Sequence, residues 1–249
     1  MSWDYGVLAT EVYDLDKPVG GSFADVRYYE RLLDGLAGRV LEPAVGTGRV
    51  LIPLLEAGFE VTGYDSSPEM LAVCRTHCRE RGLDPRLSEA DMTSFIEPGA
   101  YAAVIIPAGT LTLLDGRDAL LKALGCFRES LQPSGRLTFD IGAPQREDEP
   151  DAMRSWRSHP FIWTLQTMHV EHDPSTNRTT SWLRYEKWQD GALIATELQL
   201  LRLQQWTIPE LEALLREAGF TSVRVTADHQ DDNTPGPDSA IWTFQAATA

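Results

Sequence analysis

Val40-Leu41-Glu42-Pro43-Ala44-Val45-Gly46-Thr47-Gly48-Arg49-Val50 is an apolar run that ends in an acid, bends through small residues and enters an amphipathic stretch. That order reads as a strand, a tight turn and a helix. Gly46 and Gly48 carry no Cβ, so the turn's backbone can lie close to a ligand. In an open α/β sheet, ligands bind in the crevice beyond the carboxyl ends of the strands. A bare G-x-G is weak evidence for such a site, and the surrounding sequence has to supply the rest.

Short apolar runs alternate with amphipathic ones from residue 39 to 142, which predicts a parallel sheet wrapped by helices. The strands fall at Arg39 to Glu42, Glu60 to Tyr64, Arg86 to Glu89, Tyr101 to Ile106 and Arg136 to Ile141. Helices read over Gly48 to Ala57, Pro68 to Arg81 and Gly116 to Leu131, the second opened by Ser67 as N-cap and Pro68 in the first turn. After Gly142 the polar, acidic Pro144 to Pro150 introduces three long strand-like stretches, 161 to 172, 178 to 189 and 193 to 205, an antiparallel meander. Asp190-Gly191 is its hairpin signal, since a type I′ turn needs positive φ at both central residues. Thr207 and Glu210 form a capping box for a helix that ends at Gly219, and strands at 221 to 228 and 239 to 246 follow. The N-terminal 20 residues are aromatic-rich without clear periodicity and precede a helix from about Phe23 to Leu36.

The chain has 249 residues, 43% apolar, with 37 Asp and Glu against 22 Lys and Arg, a formal charge of -15. That charge repels a phosphate backbone or an anionic membrane, so the partners expected exclude nucleic acid and membrane. No run approaches the roughly 20 apolar residues of a membrane span, and the opening residues lack a signal-peptide pattern, so neither a span nor an address signal is expected. Cys74, Cys78 and Cys126 make an odd count, which fits a reducing cytoplasm. Cys74 and Cys78 lie one helical turn apart without a fourth ligand nearby, so no metal is expected.

Three further segments complete a cofactor pattern. Asp65 ends the second strand 17 residues after Gly48, where it can accept from both ribose hydroxyls. Asp91 closes the third strand, placed to accept an adenine amino group with Met92 beside the ring. Pro107, Ala108 and Gly109 end the fourth strand in residues too small or rigid to obstruct a cleft.

With these residues in place, the chain resembles the class I S-adenosylmethionine-dependent methyltransferases over roughly residues 20 to 142. The glycine-rich motif is Glu42 to Gly48, with Ala44 at the usual first glycine. The family's ribose acid maps to Asp65, followed by Ser66 to Met70 as the usual helix opening, and its adenine acid maps to Asp91. Leu131 to Leu137 is similar to the family's turn into the fifth strand. Ala24 to Tyr29 resembles the segment before the first strand in small-molecule methyltransferases, including amino-sugar N-methyltransferases of natural-product pathways, in which an N-terminal arm and an inserted sheet cover the substrate. The run Leu211 to Phe220 fits the same subgroup.

The resemblance implies an α/β, Rossmann-like fold: a seven-stranded, mostly parallel sheet with helices on both faces, plus an inserted three-stranded antiparallel lid sheet. The expected divisions are an arm (1–38), a cofactor-binding core (39–142), the lid (143–206) and a completing segment (207–249). The implied cofactor is S-adenosyl-L-methionine, leaving as S-adenosyl-L-homocysteine, held by Tyr29, Glu42, Ala44, Gly46, Gly48, Asp65, Ser66, Met70, Asp91, Met92 and Pro107. The expected partner is a small-molecule methyl acceptor, with a homodimer as a further expectation.

Some relatives carry a histidine after the fourth strand where Thr112 stands. Asp140, Tyr13 and His169 are the candidate catalytic groups, with His172 and Tyr29 as further proton acceptors or phenols. Thr112, Arg184 and Arg202 are the candidate acceptor contacts, because an arginine can hold a carboxylate bidentately. Trp182, Arg184, Glu186 and Trp188 share one strand face, and a simply solvated face is an equally good reading of it. A nicotinamide-dependent oxidoreductase shares the sheet and the ribose acid, but Leu51 stands where its third glycine would be. A cofactor-binding protein that has lost catalysis is the other alternative.

Overall fold

The computed structural model describes residues 5–21, 24–143 and 153–248. Phe23 and the acidic run 144 to 150 lie outside the described residues.

A seven-stranded sheet is ordered β10-β11-β5-β4-β1-β2-β3. Its parallel part comprises β1 (Val40–Pro43), β2 (Val61–Asp65), β3 (Leu87–Glu89), β4 (Tyr101–Ile106) and β5 (Leu131–Gly142). At its far edge β11 (Ile241–Ala247) runs antiparallel to both β5 and β10 (Thr221–Ala227). Every residue of β1, β2 and β4 is buried, because helices cover both faces. On one face α2 (Asp25–Leu33), α3 (Leu51–Glu56) and α4 (Pro68–Glu80) pack on Val40, Val61 and Ile105. On the other, α5 (Gly116–Ser130) and α6 (Ile208–Glu217) cover Val104, Leu137 and Phe139, and Phe139 stacks on Phe244 at 4.9 Å.

The predicted local signals operate as read. Ser67 Oγ accepts from the Met70 N–H, and Thr207 and Glu210 bond reciprocally. Asp190 and Gly191 both have positive φ. Close packing of α3 on the sheet is achieved without a third glycine in the turn. Leu51 lies over Gly63 of β2, where any Cβ would come within 2.8 Å of Leu51 Cδ1.

The lid differs from expectation by one strand. It has four: β6 (Arg154–Ser158), β7 (Phe161–Asp173), β8 (Arg178–Gln189) and β9 (Ala192–Gln204), in that order. Arg-Ser-Trp-Arg-Ser offers a single apolar side chain, Trp156, so it becomes a strand through register with β7 and not through its own pattern. The arm differs as well: residues Val7–Asp16 form a helix, α1, packed on the lid through Leu8, Ala9 and Val12. Its Gly6 N-cap offers no side chain. The Leu8 N–H instead donates to Glu197 Oε2 of β9 at 2.9 Å. Among the described residues no helix is long and apolar enough to cross a membrane.

Candidate active site

β1 pairs with both β2 and β4 in parallel, so the chain reverses its winding direction at β1 and leaves a crevice at the strand ends. Glu42, 2% exposed, ends β1 there with Oε2 lacking any hydrogen-bond partner. Burial pushes its carboxyl up to about 8; nearby Arg49 opposes this, while Asp25 and Asp65 add to it. Ala44 has φ 51°, so it occupies the left-handed region that the glycine of the related motif would enter more cheaply. The two glycines divide their duties. A Cβ on Gly46 would meet only the Tyr13 ring at 3.8 Å, on the arm side, whereas one on Gly48 would come within 2.9 Å of Cys74 Sγ and Ile52 Cδ1. The missing Cβ of Gly48 makes room for α3 and α4.

Asp65 Oδ2 accepts from the Gly46 N–H and Oδ1 from the Ser67 N–H, each at 2.8 Å. Burial raises this carboxyl and the N–H bonds oppose the rise. Ser66 is exposed at the rim, and Met70 is buried one turn into α4. Asp91 is exposed beyond β3, its Oδ1 accepting from the Thr93 N–H at 2.7 Å, and Met92 packs against the core beside it. Pro107 is buried at the end of β4; Ala108 and Gly109 follow with positive φ.

Asp140 is 3% exposed and engaged on both oxygens. Tyr29 donates its phenol to Oδ2 at 2.8 Å, the Gly109 N–H donates to Oδ1 at 3.0 Å, and His229 Nε2 lies 3.4 Å from Oδ2. Burial and this carboxylate push the Tyr29 phenol well above its usual range. Asp140 therefore joins the turn after β4 to α2, and sequence reasoning missed His229 altogether. Asp25 and Arg49 were missed as well. Arg49 forms a buried two-pronged pair with Asp25 at 2.9 and 2.5 Å, donates to the Gly21 carbonyl and hydrogen-bonds the Tyr13 phenol. One side chain next to Gly48 thus fastens three parts of the arm. No spacing rule marks such a partner, since the pair is 24 residues apart.

Beside the glycine turn, a cavity of about 1000 Å³ lies between α1 and the inner face of the lid. Tyr13 and Thr112 both line it, as does His172. The candidate catalytic His169 and the candidate acceptor contacts Arg184 and Arg202 lie elsewhere. His169 packs against Trp182 with ring centres 5.0 Å apart. Arg184 bonds Gln166 and Glu186, and Arg202 sits in register with Thr180. All belong to the outer face, because the inner one carries Leu183 and Tyr185 against α1. A register irregularity between Thr167 and His169 moves the histidine to that side, which alternation counted from residue 161 does not reveal.

The sheet, its switch point and the acid-lined crevice define a Rossmann-like methyltransferase fold. Residues 40–135 match the family model described as "Methyltransferase domain". The chain is similar to a glycine/sarcosine N-methyltransferase of Parasynechococcus marenigrum, 29% identical over 213 residues, 84% of this chain and 72% of that protein. It is also similar to dTDP-3-amino-3,4,6-trideoxy-alpha-D-glucopyranose N,N-dimethyltransferase of Streptomyces venezuelae, 29% identical over 136 residues, 53% of this chain and 56% of that one. Among solved structures, the CcbJ methyltransferase from Streptomyces caelestis superposes with TM-score 0.78 at 25% identity, covering 98% of each chain. Residues 40–135 thus match a methyltransferase domain, and the chain is similar to S-adenosylmethionine-dependent methyltransferases.

Proposed function

We propose that this protein moves a methyl group from S-adenosyl-L-methionine to a nitrogen or oxygen of a small molecule. The supporting observation is the orphaned, buried Glu42 Oε2 at the strand ends, set between the Gly46 turn and Asp65 and next to a cavity that the arm roofs. A buried carboxylate oxygen without a donor fits a ligand that brings cationic or N–H donors, as an aminoacyl sulfonium nucleoside does. Asp65 would hold the ribose hydroxyls, using lone pairs beyond those its two N–H bonds occupy. Asp91 would take the adenine amino group, with Met92 against the ring; Ala44, Gly46, Ser66, Met70 and Pro107 would shape the walls. When bound, the cofactor supplies an electrophilic methyl carbon.

Tyr13 stands at the mouth between the glycine turn and the cavity, held by Arg49, and is the group we assign to contact the acceptor. Burial raises its phenol above the usual range, so it serves as a neutral hydrogen-bonding group, not as a base. Asp140, fully engaged beneath the surface, positions Tyr29 and the Gly109 turn instead of abstracting a proton. Transfer then rests on orientation of the acceptor, worth several kcal/mol. Residues 1–38 serve as the arm and 143–206 as the lid in this reading, the enzyme acts in the cytoplasm, and two copies associate as a homodimer.

The test is calorimetric titration with S-adenosylhomocysteine and with NADH, followed by a product-release assay on amines, phenols and sugars. Binding of the homocysteine nucleoside with methylated product detected by mass supports the reading. Binding of NADH alone defeats it.

A further inference from the structure

The charges around the cavity are already spent on one another. Lys17 and Arg154, its two lining cations, share Asp16 at 2.7 and 3.2 Å. Lys187 on the same sheet face is paired with Glu11 at 2.7 Å, and Arg178 near the hairpin end is paired with Asp115. Glu11 also accepts from Trp163 Nε1, and Glu197 accepts from the Leu8 N–H and Gln199. Among the described residues, therefore, an anion entering the cavity meets no lysine or arginine that lacks a carboxylate partner. Taking one would leave that carboxylate facing the newcomer, partly out of water.

What the cavity does offer is divided lengthwise. Val12, Leu165, Leu183 and Leu201 form an aliphatic wall between α1 and the lid. At the hairpin end Thr179 Oγ accepts from Gln205 Nε2 at 3.0 Å and lies 3.4 Å from His172 Nδ1, while Asn177 donates to the Gln205 carbonyl. These are hydroxyl, amide and imidazole groups, with both donors and acceptors among them. An apolar wall also favours the neutral form of an amine, the form whose lone pair can attack.

Resting on the methyl-transfer reading above, we propose that this cavity selects an acceptor with neither carboxylate nor phosphate: an amphipathic molecule whose apolar body lies along the aliphatic wall and whose hydroxyl or amide end meets His172, Thr179 and Gln205. Free glycine and nucleotide-linked sugars, which carry such anions, are then poor acceptors.

The test uses the full chain saturated with S-adenosylhomocysteine and four arylamines of matched length, titrated by calorimetry. They are 4-(4-aminophenyl)butan-1-ol, 4-(4-aminophenyl)butanamide, 4-(4-aminophenyl)butanoate and 4-butylaniline. The alcohol and the amide are expected to bind at least about tenfold more tightly than the isosteric carboxylate, the difference between an uncharged and a charged end entering a site without a free counter-charge. Thr179→Val is expected to weaken the alcohol by about fivefold, the worth of one hydrogen bond, and to leave butylaniline and the nucleoside unchanged. Carboxylate binding as tight as the amide's, an equal effect of Thr179→Val on all four, or no arylamine binding to a nucleoside-loaded chain would overturn the proposal. Failure to bind the nucleoside at all would overturn the methyl-transfer reading, and this proposal with it.

Discussion

Glu42→Gln should make the free protein more stable above neutral pH and leave it nearly unchanged in mild acid. The Glu42 carboxyl is held at about 8 by burial, against an ordinary 4.5. Between those two values the folded chain keeps a proton that the unfolded chain releases. The stabilisation associated with that proton is complete below pH 4.5 and lost as pH rises toward 8, at about 1.4 kcal/mol per unit. Glutamine copies the protonated carboxyl in shape and cannot ionise. From pH 5.5 to 7.5 the variant's advantage over wild type should therefore grow by about 2 to 3 kcal/mol. Urea unfolding of nucleoside-free protein, followed by tryptophan fluorescence at several pH values, measures the difference directly, and contributions common to both chains cancel. A difference independent of pH would refute the reasoning, because it would mean that Glu42 is ionised in the folded chain throughout.

Asp65→Ala should weaken S-adenosylhomocysteine by about 1 to 3 kcal/mol in calorimetry, since two hydroxyl donors and the Gly46 N–H lose their acceptor together. Gly48→Ala should cost stability in thermal melts, with a Cβ 2.9 Å from Cys74 Sγ and a φ of +89°, while Gly46→Ala should mainly cost nucleoside affinity. Arg49→Met, which strands Asp25 in the interior, should destabilise by about 3 to 5 kcal/mol, and adding Asp25→Asn should recover part of that loss in a double-mutant cycle. Strictly additive losses would show that the pair is not coupled.

Local order was legible wherever one segment carries its own instruction. β4 was bounded to the residue because a strand covered on both faces is apolar throughout. The Ser67 and Thr207 caps and the Asp190-Gly191 turn obey backbone chemistry within a few residues. Glu42, Asp65 and the Gly46 turn follow from strand ends, so their meeting could be expected from alternation alone. By contrast, α1 has a first-turn N–H, that of Leu8, capped by a carboxylate 189 residues away, and β6 exists only in register with β7. Their stabilising partners are remote, and periodicity within a window cannot register them.

The sequence by itself determined the parallel sheet, the turn at its centre and the acids at its rim, because each is encoded by side-chain period and backbone freedom over about ten residues. Tertiary structure alone decided that Arg49 fastens the arm, that Asp140 lies beneath the crevice bound to Tyr29 and His229, and that His172 faces the cavity while His169 faces away. Those outcomes depend on burial and on a one-residue irregularity in strand register, which fix a side chain's partners only once the remote segments have packed together.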